Sequence, residues 1–591
     1  MGGPPFDCLT NPLGAVRFAF EKAMASGSHP SAFGGKDWGA LDLFRHFLSE
    51  QSALSQVPIL NPQTISLVQP NTLVRYRGMI QDMLGNEFYV GAYKDGSSWR
   101  TNKFADVSQF PMRSSPDMCV WERRLLYCVP VPGQSSWTKS SYQPQLNQGM
   151  ESSSQKKEKR RRLDVEDMDM ITDDELETSP SAKKMREGDC FPSSEFRASA
   201  PEGNFPRTCT FLDVDKDSLP CLVKIYDSPE SELKLNDIFE FIGVLTFDSE
   251  SEAATNDYDE VSNTFSDDEL VQLPPNKVPR LHCLIHRKLA VHDFLQSSPI
   301  LEVNPHIVKE IREALLRHLT AVLGDDGIAA HFVLLHLLSR VHNRVDDVAV
   351  GKLSLNLIGL SKESVSVFGT RLSNVVESLL PFTHCLPLKL EYLNAASLAP
   401  KKDYQINRLR PGVLQIPDGS HLAIDETHLK AGSLDAVGVE NARLLKNLTE
   451  FQKVEYDFQY YKLEMAADIQ LLIFSDGKSN ILPADIVIPF QPSSVGSYKE
   501  VATEALEAWR WYLATVRSLP HSIESDMQKV VEDDMVAARQ ADRSLGSQDF
   551  SRWLTMGRLM SSSFGETSLS MEHWQMVEEL ERLRRERLKL K

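Results

Sequence analysis

The chain has 591 residues, 41% of them hydrophobic and 25% charged, with a formal net charge of −18. That length predicts two or three domains with real cores, and the acidic balance argues against broad nonspecific nucleic-acid binding, which needs a cation-rich surface. The longest apolar runs, such as Phe332–Leu338, are too short to span a membrane, and the opening Met-Gly-Gly-Pro-Pro has neither the basic nor the long apolar part of a secretory signal.

Eight cysteines are scattered from Cys8 to Cys385 without a C-x-x-C pair or zinc spacing to histidine. Reduced thiols and no metal site are expected. Asn11-Pro12 opens a predicted helix with Val16, Phe20, Ala23 and Met24 on one face, and Trp38, Leu41, Phe44 and Leu48 mark a second. These helices either pack on the next domain or dock a partner.

Residues 72–91 read as two strands reversing at Leu84-Gly85-Asn86, and Asp95-Gly96 turns again. Further strands are expected at 122–129, 209–214, 221–226 and 238–247. Together they suggest one small barrel of the oligonucleotide/oligosaccharide-binding (OB) kind, split by an insertion. On such a barrel Tyr76, Phe88, Tyr89, Tyr93 and Trp99 could stack on bases, and Arg75, Arg77, Lys94 and Arg100 could touch phosphate. The plainer reading is a barrel core with a solvated face.

The insertion, about 130–206, is rich in Ser, Pro, Gln and charge and poor in large aliphatics, so disorder is expected. It carries two basic clusters, Lys156, Lys157, Lys159, Arg160, Arg161 and Arg162, then Lys183, Lys184 and Arg186, which read as nuclear-import signals, or as solvated charge or a nonspecific anion contact. Ser114-Ser115-Pro116 and Thr178-Ser179-Pro180 fit proline-directed phosphorylation. An acidic linker follows at 249–278.

The C-terminal half begins near Pro279. Ile307, Ile311, Leu315 and Leu319 have helical spacing, Gly324 to Gly327 breaks the helix, and 329–341 reads as a buried helix. His331, His336 and His342 lack metal-ligand spacing. Lys352–Leu360 is a short apolar run of the buried parallel-strand type, followed by a loop to Phe368-Gly369 and a helix with Leu372, Val375, Val376 and Leu379. Strand, loop, helix is the order of a phosphate-binding loop, but G-x-x-x-x-G-K-[ST] is absent: Gly359 and Gly369 stand far apart, and Thr370 and Arg371 follow where Lys and a hydroxyl are required. Residues 386–393 look strand-like and Lys401-Lys402 loop-like.

Val413–Thr427 holds two apolar runs around an Asp418-Gly419 turn and ends its second run in Asp425-Glu426. An acidic pair at the end of a buried strand holds Mg²⁺ and orients water in nucleoside triphosphatases; alone, it is also a hairpin ending in two solvated carboxylates. After it come a helix at 437–451, a hairpin at 454–465, a strand at 469–474 ending in Ser475-Asp476-Gly477, and helices at 498–516, 549–560 and from 569. The last ends in Glu581-Arg582-Leu583-Arg584-Arg585-Glu586-Arg587, a solvated helical face or a docking or nucleic-acid contact.

The Asp418-to-Glu426 stretch resembles the Walker B segment of the mini-chromosome maintenance (MCM) helicase subunits. The order Ile358-Gly359, Asp418-Gly419, Ile424-Asp425-Glu426, hairpin, strand and helical lid resembles the MCM-complex-binding protein family, a divergent relative of those subunits. The resemblance implies a multidomain α/β chain. Its parts are N-terminal helices and the first part of an OB-like barrel (1–129), the insertion (130–206), the rest of the barrel (207–248), the linker (249–278), a degenerate AAA+-like ATPase core (279–497) and a helical lid (498–591). In MCM subunits the hairpin at 454–465 would grip DNA with a lysine; here Phe458 or a neighbour stands there. Asp476 stands where the family's sensor asparagine would be, and an ionised Asp cannot donate to a phosphate.

The implied function is a nuclear, non-catalytic adaptor without cofactor. It would bind MCM subunits, reach chromatin through them, regulate their assembly or release during S phase, and support sister-chromatid cohesion. The rival readings are a single-strand-binding OB protein and a weakly active AAA+ ATPase. No membrane contact is expected.

Overall fold

The computed structural model describes residues 7–27, 29–49, 51–106, 117–140, 219–227, 232–247, 278–295, 305–479, 481–495 and 501–590. The two basic clusters, both Ser-Pro sites, the strand expected at 209–214 and all but the last residue of the acidic linker lie outside them.

Helix α1 (Pro12–Ala25) starts as its residues require. The Asn11 side chain accepts the Gly14 amide at 3.0 Å, and proline takes the first helical position, where its missing N–H costs nothing. Short α2 (Pro30–Phe33), α3 (Ala40–Ser49) and α4 (Gln51–Gln56) follow. Ala15, Val16, Leu41 and Phe44 bury against Leu73, Val244 and Leu284 of the next layer. Of the two readings of these helices, packing on the neighbouring domain accounts for their apolar faces.

That layer is a ring of strands: β1 (Leu73–Asp95), β3 (Met118–Val129), β4 (Cys221–Ile225), β6 (Arg280–Lys288) and β5 (Ile238–Thr246), with β2 (Ser98–Thr101) extending β1. β1 pairs with both β3 and β5, β4 runs parallel to β6, and the ring closes around Val74, Tyr76, Leu126, Val223, Phe241 and Leu281. Closure satisfies both edges of each strand. Two expectations are corrected. No reversal occurs at Leu84-Gly85-Asn86: β1 is one 23-residue strand, and Gly85, at φ 97°, absorbs a register shift against β3. Glycine at positive φ serves a bulge as readily as a turn. The boundary at 279 also falls wrongly, because Arg280–Lys288 supplies the strand that joins β4 to β5.

The expected disordered insertion starts too early at 130. Residues 131–140, ending in α5 (Ser136–Ser140), form a strap on the second half of the chain. Gln134 bridges to Phe382, Ser135 Oγ donates to the Leu380 carbonyl at 2.6 Å, and Trp137 Nε1 donates to the Glu377 carbonyl at 3.1 Å. The Arg510 guanidinium lies 4.1 Å from the Trp137 ring centre.

The second half opens with α6 (Pro305–Val322) and the buried α7 (Gly327–Leu338), then a small hairpin of β7 (Asn343–Val345) and β8 (Val348–Val350). A parallel sheet follows, built from β9 (Leu355–Ile358), β10 (Thr383–Pro387), β13 (Ser420–Asp425), β16 (Ile469–Ser475) and β17 (Ile486–Pro489), in the order β10-β13-β16-β9-β17. Between β9 and β10 lie α8 (Lys362–Ser364), a π turn (Val365–Gly369) and α9 (Thr370–Leu379). α10 (Leu390–Ala395) replaces the end of the strand expected at 386–393: Pro387 closes β10 and an acidic first turn suits a helix. The Lys401-Lys402 loop is instead β11 (Lys401–Asp403), paired with β12 (Arg408–Arg410). Beyond α11 (Ala436–Phe451), the expected hairpin is present as β14 (Lys453–Asp457) and β15 (Lys462–Ala466), and the two hairpins join in a second sheet, β12-β11-β14-β15.

The C-terminal helices are α12 (Thr503–Ser518), α13 (Ser525–Ala541), α14 (Ser547–Ser563) and α15 (Met571–Lys589). Tyr512, Met556 and Leu580 bury in one core with Leu319, Leu335 and Leu357, so the helices expected as a lid share the core of the parallel sheet.

Candidate functional site

In open parallel sheets, ligands bind beyond the carboxyl ends of strands, where successive connections leave in opposite directions. Here that point lies between β9, whose connection runs to β10 at one edge, and β16, whose connection runs to β17 at the other. The structure brings Gly359, Asp425, Glu426 and Asp476 to these ends. The Gly359 amide donates to the Asp476 carbonyl at 3.0 Å, and the Glu426 amide to the Phe474 carbonyl at 2.9 Å.

The acidic pair is buried but already engaged. Asp425 Oδ1 accepts the Thr427 amide at 2.9 Å and the Thr427 hydroxyl at 2.6 Å, while its Oδ2 lies 3.0 Å from His428 Nδ1. Glu426 accepts the Ser479 hydroxyl at 2.7 Å. Burial pushes the Glu426 carboxyl up, the neighbouring Asp425 charge adds to this, and the Ser479 bond opposes it. The reading of Asp425-Glu426 as two solvated hairpin carboxylates is corrected: both are at most 9% exposed and end a central parallel strand. Asp476 is exposed beside them.

Gly369, Thr370 and Arg371 do not join this group. The expected loop after β9 is only Gly359-Leu360-Ser361; Ser361 then caps a helix, its hydroxyl accepting the Ser364 amide at 3.3 Å. Gly369 sits inside the helical run, where an added Cβ would meet Val365 Cγ1 at 2.9 Å. Thr370 opens α9, and Arg371 donates to the Val495 carbonyl at 2.6 Å with its guanidinium 5.9 Å from the Phe368 ring centre. The loop expected over 361–369 is helical: the sequence there has no glycine before Gly369 to hold an open loop, and the chain takes helical bonds instead.

Sequence reasoning missed Asn356, Ser479 and His428. Asn356 Oδ1 accepts the Ser475 hydroxyl at 2.8 Å, joining β9 to β16 beneath the site. Its signal was a polar residue inside the apolar run Leu355-Asn356-Leu357. Ser479 and His428 lie on loops and carried none. His336, read as lacking a ligand role, is fully buried, with Nδ1 2.8 Å from the Leu353 carbonyl and Nε2 3.2 Å from His421 Nε2. Among the described residues no group of three His, Cys, Asp or Glu side chains is placed to hold a metal ion, and no helix is long and apolar enough to cross a membrane.

The proposed base-stacking and phosphate-binding residues of the barrel do not form such a surface. Tyr76 and Tyr89 are buried, and Trp99 packs edge-on against His29 at 5.0 Å. Tyr93 is half-buried and Phe88 is exposed. Arg77 Nε bonds Glu240 at 2.7 Å and the buried Arg75 donates to the Val57 carbonyl at 3.2 Å. Arg100 pairs with Asp95 at 2.7 Å and Lys94 with Asp117 at 3.7 Å. These cations meet carboxylates or carbonyls of their own chain, which leaves little charge to offer a phosphate.

In the hairpin at 453–466, Phe458 and Tyr461 stack at 5.0 Å at the tip, and Lys462 pairs with Glu440 at 2.6 Å and Glu455 at 2.8 Å.

Residues 44–588 match the family described as "Mini-chromosome maintenance replisome factor". The chain is 62% identical over 595 residues to a "Mini-chromosome maintenance complex-binding protein" of Arabidopsis thaliana, covering 100% of both. Proteins of the same name from Salmo salar and Homo sapiens are 34% and 33% identical, with 98% of this chain and 97% and 98% of theirs covered. With a match along nearly its whole length and relatives of equal extent, the chain belongs to the mini-chromosome maintenance complex-binding protein family.

Proposed function

We propose that this chain is a non-catalytic nuclear adaptor that binds MCM helicase subunits and regulates their assembly or their release from chromatin in DNA replication, in support of sister-chromatid cohesion. Its family relatives are named for binding the MCM complex. The parallel sheet supports an AAA+-like core: a strand–helix unit, β9 to α9, beside two strands whose ends carry Asp425-Glu426 and Asp476. The ring β1-β3-β4-β6-β5, with its single parallel pair, supports the OB-like reading of the barrel.

The observation that carries the non-catalytic reading is the helix after β9. A phosphate loop offers a row of free amides and a lysine. Here two residues separate Ile358 from the helix cap Ser361, and the first two amides bond the neighbouring strand. A subunit-like scaffold of this kind can present MCM-type surfaces without powering a ring.

The test is capture from nuclear extract on the immobilised full chain, read by mass spectrometry, with ATPase activity measured on the purified protein. A cut near 270 would separate β6 from its ring, so the full chain is the bait. Recovery of MCM subunits with no turnover is expected. Absence of MCM subunits overturns the adaptor reading, and steady Mg-ATP turnover lost in Asp425→Asn overturns the non-catalytic one. Nuclear localisation is tested by fluorescent fusions in which Lys156 to Arg162 and Lys183 to Arg186 are changed to alanine.

A further inference from the structure

The sheet β12-β11-β14-β15 ends in an exposed aromatic patch. β11 and β14 run parallel, with Lys401 beside Asp457, which sets the turns of the two hairpins next to each other. Tyr460 is 81% exposed, Tyr461 58%, Ile406 49% and Tyr404 46%. Exposed apolar groups gathered in one place, rather than scattered singly, mark interaction surfaces.

The patch is held in place. The Tyr404 hydroxyl donates to the Phe458 carbonyl at 3.0 Å, across the two hairpins. The Phe458 amide donates to the Tyr461 carbonyl at 3.0 Å, and Gln459 takes the left-handed conformation at φ 63° that closes the turn. Tyr404 and Tyr460 meet at 5.5 Å. The barrel fixes the bases of the same hairpins. Gln81 Nε2 donates to the Leu409 carbonyl at 3.0 Å, the Leu409 amide to Asp82 at 2.8 Å, and Asn236 to the Tyr456 hydroxyl at 2.7 Å. Fixed aromatic anchors lose little entropy on binding, which is why tyrosine recurs at energetic centres of protein interfaces.

Charge decides what kind of occupant fits. Single-strand sites pair their stacking rings with free cations. Here Lys401 pairs with Asp457, Arg408 with Asp82, Arg410 with Asp403, Lys453 with Glu464 and Lys462 with Glu440, while Lys402 donates to the Asn407 carbonyl. The surface is aromatic, its lysines and arginines are held by carboxylates or a carbonyl of the same chain, and it suits an apolar protein surface rather than a phosphate backbone. Beside it, β15 is an edge strand with mostly exposed residues, which offers main-chain groups to the same partner.

We infer that the paired hairpin tips, Tyr404 with Ile406 and Tyr460 with Tyr461, form the surface on which an MCM helicase subunit docks. The inference rests on the adaptor reading above and names its contact. The test uses purified MCM subunits and full-length chain in two forms, Tyr460→Ala/Tyr461→Ala and the single Tyr460→Lys at the most exposed position, with melting temperature recorded for each. The expected result is affinity weakened by about 30-fold or more, as for an interface hot spot, at unchanged melting temperature. Undiminished binding by both variants overturns this contact while leaving the adaptor reading in place. No binding by the unmodified chain overturns both. Binding of a fluorescent oligothymidine that the variants lose overturns the inference in favour of nucleic acid, and a dimer of the unmodified chain that the variants dissociate overturns it in favour of a second copy.

Discussion

The Gly359 amide donates to the carbonyl of Asp476 at 3.0 Å, and the next amide, Leu360, donates to Ser475 at 3.2 Å. The last ladder pair of β9 and β16 is Ile358 with Ser475, and just beyond it both amides are taken by the end of β16; on the AAA+-like reading proposed above, a nucleotide's phosphates would need those donors. On that same reading, the contact ties together the position that would meet phosphate and the one that would sense it.

Millimolar Mg-ATP is therefore expected to leave the melting temperature of the purified chain unchanged. A ligand present at a hundred times its Kd stabilises a protein by about 2.7 kcal/mol, well within the reach of scanning fluorimetry. A nucleotide-dependent rise that disappears in Asp425→Asn would show that the amides can be released.

Glu581, 3% exposed, binds Arg584 at 2.7 Å, Arg585 at 3.0 Å and Arg552 at 3.2 Å, fastening α15 to α14. Burial alone would raise its pKa; the three guanidinium groups overcome this and bring it down to about 2. The folded-state value is depressed, so the stabilisation is complete above the ordinary carboxylate range and is lost as pH falls toward 2. Glu581→Gln should cost about 3–5 kcal/mol in urea unfolding at neutral pH, as for breaking a buried ion pair. It should also flatten the acid side of the stability curve between pH 4.5 and 2.

Three histidines face the interior around β10 and β13. Burial pushes His336 and His384 down to about 4 and holds His421 well below its ordinary value. The unfolded chain takes up these protons near pH 6.5 and the folded chain does not, so stability should fall as pH drops from 6.5 toward 4, by about 1.4 kcal/mol per pH unit for each such group. The Leu353 carbonyl requires the hydrogen on His336 Nδ1, which leaves Nε2 to accept from His421. Nitrogen-15 spectra should find both rings neutral at pH 6 with these opposite tautomers, and His336→Gln should remove its share of the slope.

Asp82, 4% exposed on β1, accepts the buried Leu409 amide at 2.8 Å and lies 3.5 Å from Arg408. Asp82→Ala leaves both without their partner and should cost about 1–3 kcal/mol. Amide hydrogen exchange at 401–410 should accelerate more than in the parallel sheet. Equal exchange in both forms would mean that the hairpin needs no support from the barrel.

Much of the architecture was legible because it is local. Asn11-Pro12 states a helix start in two residues, and the short apolar runs at 355–358 and 420–425 read as buried strands from their length and composition. The buried α7 follows from a run that is apolar nearly all round, and the hairpin expected at 454–465 is present at 453–466. Of the candidate site, Gly359, Asp425, Glu426 and Asp476 were found because each ends such a run.

What the amino-acid order determined by itself is therefore the inventory: the helices and strands with clear periods, the acidic strand end, the absence of a glycine-rich phosphate motif and the family to which these point. Only the tertiary structure decided how ambiguous residues are spent. Gly85 could turn or bulge, and pairing of Phe88 and Tyr89 with β3 made it a bulge. Arg77 could meet phosphate or carboxylate, and Glu240, 163 residues away, decided for carboxylate. Arg280–Lys288 became barrel rather than core because β4 and β5 left one gap that a strand could close. In each case the local sequence permits two conformations of similar energy, and the hydrogen-bond or charge partner that separates them comes from a distant part of the chain.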